Sequence, residues 1–171
     1  MIKKIIFFLS LFLLLNPAYA DVFDNPSSIE KIIPQLPEIK TIKCKFKQEK
    51  YLQNISKPVI SGGNFEFIEN KGVFFYTTYP IKSTQDYTNK NYKQINDVIK
   101  AILSKKYSAI ERIFSFYFEK EGSIWSLGMK PKEGSNTEKH IENIKVIGSD
   151  YIRQISIIQK NGNKTTIWFD K

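Results

Sequence analysis

Histidine and cysteine are nearly absent from this 171-residue sequence, which contains one of each, His140 and Cys44. Hydrolytic triads and zinc sites both draw on histidine, and the sequence has no serine-hydrolase elbow, zinc-protease helix, P-loop or dinucleotide-binding glycine motif. A triad of His140 with a distant Ser and Asp stays open, although any chain of this size contains such triples by chance. We therefore expect a protein that is not an enzyme and that has no metal and no cofactor.

Long hydrophobic runs are also missing, except for one at the N-terminus. Residues 5–15 are almost wholly apolar, two lysines precede them, and an Ala-Tyr-Ala sequence ends at Ala20. This pattern predicts a secretory signal peptide that is cleaved after Ala20, and the run is short for the alternative, an uncleaved membrane anchor. No cysteine stands at the cleavage point to carry a lipid. We expect residues 1–20 to be removed and residues 21–171 to form one exported domain.

The single cysteine excludes a disulfide within the chain, so an exported domain of about 150 residues has to be held by its hydrophobic core. Cys44 falls on the apolar side of an alternating segment. It is therefore expected to be a small buried hydrophobic residue rather than a reactive thiol.

Acidic residues are the minority among the charged ones, with 17 Asp and Glu against 26 Lys and Arg and a formal charge of +9. Such a surplus favours anionic partners, which outside the cytoplasm means lipid headgroups or acidic proteins rather than nucleic acid. The basic residues are scattered, and a solvated basic surface is the plainer alternative. The carboxylate pairs Glu66 with Glu69 and Glu119 with Glu121 fit solubilising residues better than a glycosidase pair.

Two segments have helical periodicity. Residues 25–36 begin with serines, place isoleucines on one face and precede Pro37, which is typical of a short helix. Apolar residues at positions i, i+3, i+4, i+7 and i+8 predict an amphipathic helix over residues 92–104, and a second helical turn follows over 107–113. The apolar stripe of the longer helix consists of Ile95, Val98, Ile99, Ile102 and Leu103.

Most of the remaining chain alternates between apolar and polar residues, which predicts β-strands. A hairpin over residues 61–80 reverses at the polar turn 69–72. We expect a mainly β (α+β) fold, in which a strongly curved antiparallel sheet of roughly eight to ten strands has helices against its concave side. The other strands are predicted over residues 42–49, 81–87, 114–118, 125–130, 141–147, 151–158 and 165–169.

Large apolar residues recur on one side of these strands. For each one alone, an ordinary core position is the plainer explanation. Together they exceed what two short helices can cover, so we predict a hydrophobic groove that binds a ligand. We assign to this groove Phe46, Phe65, Phe67, Phe74, Tyr76, Ile95, Ile99, Leu103, Phe114, Phe116, Phe118, Trp125, Leu127, Met129, Ile155, Ile157, Ile167 and Phe169.

Several pieces of the sequence resemble the LolA family of periplasmic lipoprotein carriers. They come in the family's order and cover most of residues 21–171. The pieces are Phe46-x-Gln48, Ser61-Gly62-Gly63-Asn64-Phe65-x-Phe67, Gly72-x-Phe74-x-Tyr76, Trp125-x-Leu127-x-Met129-x-Pro131, Ile155-x-Ile157 and Gly162-Asn163-Lys164-Thr165-x-Ile167-x-Phe169.

The resemblance implies an unclosed β-barrel with a helical lid over an apolar cavity, the LolA/LolB-like fold. It implies a monomeric carrier chaperone that shields the acyl chains of lipoproteins between an inner-membrane donor complex and an outer-membrane acceptor. Unlike the family, this chain has no further hairpin after Pro80, no C-terminal extension after Lys171, and only Lys71 near the hairpin turn where the family has an arginine that contacts the lid.

These differences leave the cargo open between lipoproteins and another lipid. Two other functions also stay open. One is a periplasmic lipid-modifying hydrolase that uses His140, and the other is an adaptor that docks a protein without lipid.

Overall fold

The computed structural model describes residues 21–85 and 93–171, with the backbone alone for residues 84–85 and 93–96. The predicted signal peptide lies outside the described residues. So do the end of the predicted strand 81–87 and the start of the predicted helix 92–104.

The described chain forms one curved antiparallel sheet that does not close into a barrel. The spatial order is β4-β3-β2-β1-β9-β8-β7-β6-β5, so that β4 and β5 are the two edges. The mainly β prediction is confirmed. The strands are β1 (Thr41–Tyr51), β2 (Val59–Ile68), β3 (Gly72–Tyr79), β4 (Ser83–Gln85), β5 (Phe114–Glu121), β6 (Ile124–Pro131), β7 (Ile141–Gly148), β8 (Ile152–Gln159) and β9 (Lys164–Asp170).

The described helices are few and short. Helix α1 (Ile29–Ile32) continues as a 3-10 turn over Ile33–Gln35, where Pro34 ends the α-helical hydrogen bonding. Helix α2 (Lys93–Leu103) is the long amphipathic one, and α3 (Ser108–Glu111) follows it. No helix in the described ranges is long and apolar enough to cross a membrane.

One strand boundary differs from the prediction. The hairpin is predicted to start at residue 61, but β2 begins at Val59 and contains Gly62 and Gly63. A side chain on Gly63 would overlap the carbonyl oxygen of Tyr76 on β3, so glycine permits this close pairing. The polar segment between β6 and β7 contains a 3-10 turn over Asn136–Lys139.

The first described residues, 21–27, form a segment that we call the N-terminal clasp. Its 3-10 turn packs Val22 and Phe23 against Gly128 of β6, on the face of the strand opposite the buried Leu127 and Met129. A Cβ on Gly128 would lie 2.7 Å from the Phe23 ring. Phe23 also meets the Tyr117 ring edge-on at a centroid distance of 5.5 Å, and the Lys130 ammonium lies 4.8 Å from the Phe23 centroid. The clasp is thus fixed by aromatic and cation–π contacts.

The clasp then covers the free edge of β5. The Ser27 N–H donates to the carbonyl of Phe116 at 3.0 Å, and the Phe118 N–H donates to the carbonyl of Asn25 at 3.0 Å. These bonds occupy backbone groups that an edge strand would otherwise leave open to another chain.

Candidate functional site

The inner face of the sheet, which we define as the face that carries its buried side chains, is the candidate site. In β1, Ile42 and Phe46 are buried while Lys43 and Lys45 are exposed, as the strict alternation predicts. Cross-strand pairing continues this face around the sheet, for example from Phe46 to Phe169. The buried side chains of the sheet and of α1, α2 and α3 form a single hydrophobic cluster.

Four phenylalanines on the inner face form an aromatic cluster, Phe46, Phe65, Phe75 and Phe169. The rings of Phe65 and Phe169 are 4.7 Å apart, and Phe75 lies 5.0 Å from both Phe46 and Phe65. All three pairs meet edge to face, a geometry that adds about 0.5–1.5 kcal/mol per pair to the burial of the rings. The cluster therefore gives this part of the inner face a defined, rigid surface.

Helix α2 lies across this part of the inner face. It contacts β3 and α3, and its buried side chains join those of the sheet in one cluster. The buried residues in its described part are Val98, Ile99, Ala101, Ile102 and Leu103. The structure thus places Ile99 and Leu103 against the sheet as predicted, while the side chain of Ile95 lies outside the described residues.

The C-terminus of α2 is held by backbone bonds around a strained residue. The Lys105 N–H donates to the Ile102 carbonyl at 3.3 Å, and the Lys106 N–H donates to the Ala101 carbonyl at 3.0 Å. This is a Schellman motif, in which the residue with left-handed backbone is usually glycine. Here it is Lys105, with φ of 52°. A side chain at this conformation costs about 1–2 kcal/mol.

A small void lies between α2 and the sheet. Its volume is about 10 Å³, barely room for one water molecule, and only apolar side chains line it: Ile42, Phe65, Ile99, Leu103, Ile152 and Phe169. Ligand sites in proteins usually measure about 300–1,000 Å³. This void is therefore too small for a long acyl chain, and a chain could enter only if α2 moved.

Phe74 and Tyr76 do not lie on the inner face, so their assignment to the groove is wrong. Phe65 of β2 pairs with Phe75, whereas Glu66 pairs with Phe74. Hence Val73 and Phe75 are buried and Phe74 is half-buried on the outer face. The run from Val73 to Tyr76 is apolar at every position, so alternation could not choose its face. The register with β2 across the 69–72 turn was the signal available.

The rings of Phe74 and Tyr76 form a small network with Glu66 and Lys43 on the outer face. Phe74 and Tyr76 stack at 6.3 Å, and the Tyr76 hydroxyl donates to Glu66 at 3.4 Å. Glu66 also forms an ion pair with Lys43 at 2.8 Å. The hydrogen bond and the charge of Glu66 raise the pKa of Lys43. Polar pairing of this kind fits a solvated outer face rather than a hydrocarbon site.

The other predicted groove residues in the sheet lie on the inner face. All of them are buried except Phe118, which is half-buried and packs against the core. Only Phe65, Ile99, Leu103 and Phe169 among the predictions line the void. Ile42 and Ile152, which complete the lining, were missed, although the alternation of β1 places Ile42 on the same face as Phe46. The rest pack within the hydrophobic cluster: Phe46, Phe67, Phe114, Phe116, Trp125, Leu127, Met129, Ile155, Ile157 and Ile167.

Two titratable side chains contact this apolar interior. Burial, and to a lesser extent the charge of Asp170, raises the pKa of the Cys44 thiol to about 11. Cys44 is therefore a neutral thiol near pH 7, and it packs against the core. Burial likewise raises the pKa of Tyr107, whose hydroxyl donates to the Ile102 carbonyl of α2 at 3.4 Å.

His140, which the alternative hydrolase hypothesis would use, lies directly before β7. His140 is exposed. Its N–H donates to the Thr137 carbonyl at 3.0 Å, and its carbonyl accepts from the Lys160 N–H at 3.0 Å. Among residues 21–85 and 93–171, no group of three or more His, Cys, Asp and Glu side chains could hold a metal ion.

A search against models of known protein families finds no match to this chain, and a search of curated proteins finds no match either.

Proposed function

We propose that this chain is a periplasmic carrier of acyl chains, which holds hydrocarbon between α2 and the inner face and performs no covalent chemistry. The observation that carries the proposal is the wholly apolar seam between α2 and the aromatic cluster, with a small void of about 10 Å³. The void is the place where the contact between helix and sheet is incomplete. In the proposed cycle α2 lifts, and an acyl chain takes over the contacts that the helix makes in the empty protein.

The energetics of this exchange suit a carrier. Lifting α2 exposes four large aliphatic side chains, Val98, Ile99, Ile102 and Leu103, at a cost of about 6–12 kcal/mol. An acyl chain of about 16 carbons gains on the order of 12 kcal/mol from burial. The two terms are similar, and a bilayer offers the acyl chain the same gain. Transfer from a bilayer into the carrier is therefore uphill by about the cost of lifting α2, so a partner has to drive loading, whereas release of the chain into a bilayer is favourable.

The end of α2 supplies a place for the movement. The left-handed Lys105 stores about 1–2 kcal/mol of strain in the closed protein. Such strain persists only where the surrounding contacts hold it, here the bonds from Lys105 and Lys106 to α2. Release of these bonds would relieve the strain and contribute to opening.

The resemblance to the LolA family supports the same function from the sequence. On this basis the donor is an inner-membrane complex, the acceptor lies at the outer membrane, and the cargo is a lipoprotein. A LolA-like carrier of a different lipid is the alternative cargo. Mass spectrometry of lipids extracted from the purified protein distinguishes the two, because a lipoprotein carries its acyl chains on a peptide.

The two tryptophans allow a direct test of where an acyl chain binds. Trp125 is buried on the inner face, whereas Trp168 is half-buried on the outer face, opposite Lys47. A fatty acid brominated along its chain quenches tryptophan by contact. In the Trp168→Phe variant, where Trp125 is the only tryptophan, we expect saturable quenching. Saturable quenching of Trp168 alone, in the Trp125→Phe variant, or no binding at all would refute the proposal.

A further inference from the structure

A cluster of exposed apolar side chains occupies the end of the β1–β2 hairpin. We define the apolar tip as Tyr51, Ile55, Val59 and Ile60, each of which is between 40% and 51% exposed. Residues of this kind are usually buried, and several of them exposed at one hairpin end indicate an interaction surface. No tip residue lines the void under α2. The tip therefore has a role separate from that of the inner face.

The tip is held in a defined shape. The Gln53 N–H donates to the side-chain oxygen of Asn163, in the β8–β9 turn, at 2.8 Å. Asn54 adopts the left-handed backbone of a tight turn, with φ of 74°. Tyr51 pairs with Lys164 of β9. Because the apolar side chains are presented by a braced turn, little conformational entropy is lost when they bind a surface.

The charges around the tip are almost all positive. The nearest carboxylate in the described chain is Glu49, which is already in an ion pair with Lys47 at 2.7 Å and accepts a hydrogen bond from Tyr51. Lysines stand on the hairpin itself, on the β3–β4 connection and around the β8–β9 turn. They are Lys50, Lys57, Lys82, Lys160 and Lys164.

The opposite end of the sheet provides an internal comparison, because its charges are balanced. Each acidic residue in its turns has a basic neighbour, and two of these pairs are in contact, Lys40 with Glu38 at 3.8 Å and Arg153 with Asp150 at 3.7 Å. The remaining pairs are Glu69 with Lys71, Glu121 with Lys120, and Asp170 with Lys171. On the hairpin, the β3–β4 connection and the β8–β9 turn, by contrast, lysines outnumber carboxylates.

We propose that the apolar tip and its surrounding lysines dock on an anionic lipid bilayer. Aliphatic and tyrosine side chains enter the boundary between headgroups and acyl chains, while lysines extend their ammonium groups to the anionic headgroups. A hairpin end also suits a bilayer better than a protein partner, since a stable protein interface needs about 800 Å² on each side. The apolar tip would bind the membrane whether or not an acyl chain is bound at the inner face.

Vesicle co-sedimentation of the purified full chain tests the proposal. We expect binding to vesicles of phosphatidylglycerol and phosphatidylcholine in equal parts, much weaker binding to phosphatidylcholine alone, and release by salt. Ile55→Ser should weaken binding about tenfold through lost apolar burial. Lys57→Glu should weaken it at least about fivefold, since each lysine near an anionic surface contributes about that factor.

Matched controls come from the opposite end of the sheet. Ile124 is 44% exposed, compared with 51% for Ile55. Ile124→Ser and Lys120→Glu make the same chemical changes away from the tip and should leave vesicle binding unchanged. Equal losses in the tip and control variants, or no preference for phosphatidylglycerol, would overturn the proposal.

A protein partner is the competing explanation. A photo-crosslinking amino acid at position 55 tests for such a partner in the producing cell. If it forms adducts with a protein, and the purified chain binds neither kind of vesicle, the tip is a binding site for that protein and the lipid assignment is overturned. Acyl-probe affinity of Ile55→Ser should match that of the wild type. Loss of tip binding and loss of acyl binding are therefore separate results, and each tests one proposal.

Discussion

Truncation of Ile99 separates a movable α2 from a permanent part of the core. Ile99 is fully buried and lines the void under the helix. Ile99→Ala removes three carbon atoms, which corresponds to about 2.4 kcal/mol of burial at about 0.8 kcal/mol per carbon. In a fixed core, the cavity left behind brings the loss to about 2–5 kcal/mol.

A movable helix gives a different pair of results. If acyl binding requires α2 to lift, weaker contacts in the closed protein lower the cost of opening. A reduction of about 2 kcal/mol then tightens acyl binding roughly thirtyfold, because every 1.4 kcal/mol is a factor of ten. The free energy of unfolding should still fall by a core-sized amount, because the closed protein, which loses the contacts, is the stable folded form. The gain in acyl affinity is therefore the result that distinguishes a movable helix from a fixed one.

Urea unfolding and acyl-probe titration measure the two quantities on the same variant. The matched control is Ile144→Ala on β7, which deletes the same atoms from a site that is 3% exposed and does not line the void. It should lose core-sized stability without a gain in affinity. A core-sized stability loss in Ile99→Ala with unchanged acyl affinity would show that α2 is a structural plug and would refute the reasoning.

Three further results are expected from local geometry and chemistry. Gly63→Ala should lower the free energy of unfolding by at least about 3 kcal/mol in urea melts, because its Cβ overlaps the Tyr76 carbonyl; Gly62→Ala, whose Cβ has 3.0 Å to its nearest neighbour, should lose much less. Lys105→Gly should raise the free energy of unfolding by about 1 kcal/mol, and a lowered value would contradict the assigned strain. Burial raises the pKa of Cys44 to about 11, so the folded protein at pH 8 should react with a disulfide reagent roughly 200-fold more slowly than the urea-unfolded chain. The rate for the folded protein should rise toward pH 11, and equal rates for the folded and unfolded chains would contradict the raised pKa.

Strand positions were predictable because alternation and turn residues carry local information. In β1 the apolar residues Ile42, Cys44 and Phe46 alternate with lysines, and the predicted inner face agrees with the burial of Ile42 and Phe46. The same rule failed for Phe74 and Tyr76, since a run of consecutive apolar residues has no preferred face until its partner strand fixes the register. In the structure, the pairing of Phe65 with Phe75 fixes this register and places Phe74 and Tyr76 on the outer face.

Features that depend on distant contacts were not predictable. Nothing local in the clasp indicates that Phe23 packs against Gly128 or that Asn25 pairs with the edge of β5. The predicted excess of apolar surface over cover also neglected how closely α2 and the sheet pack, which leaves a void of only about 10 Å³ between them. Whether that seam opens is a question of relative free energies, which a sequence pattern does not contain.

The position of β9 has a consequence for the timing of folding. Strand β9 joins two hairpin arrays, β1–β4 on one side and β5–β8 on the other, so that β1 pairs with a strand that follows it by more than 100 residues. In a chain made or exported from its N-terminus, neither array can complete the sheet until residues 164–170 emerge. Such long-range pairing slows folding. If the chain is exported as we propose, a slow final step would keep the sheet incomplete during passage through the membrane. Truncation before Lys164 should leave two separate, aggregation-prone half-sheets.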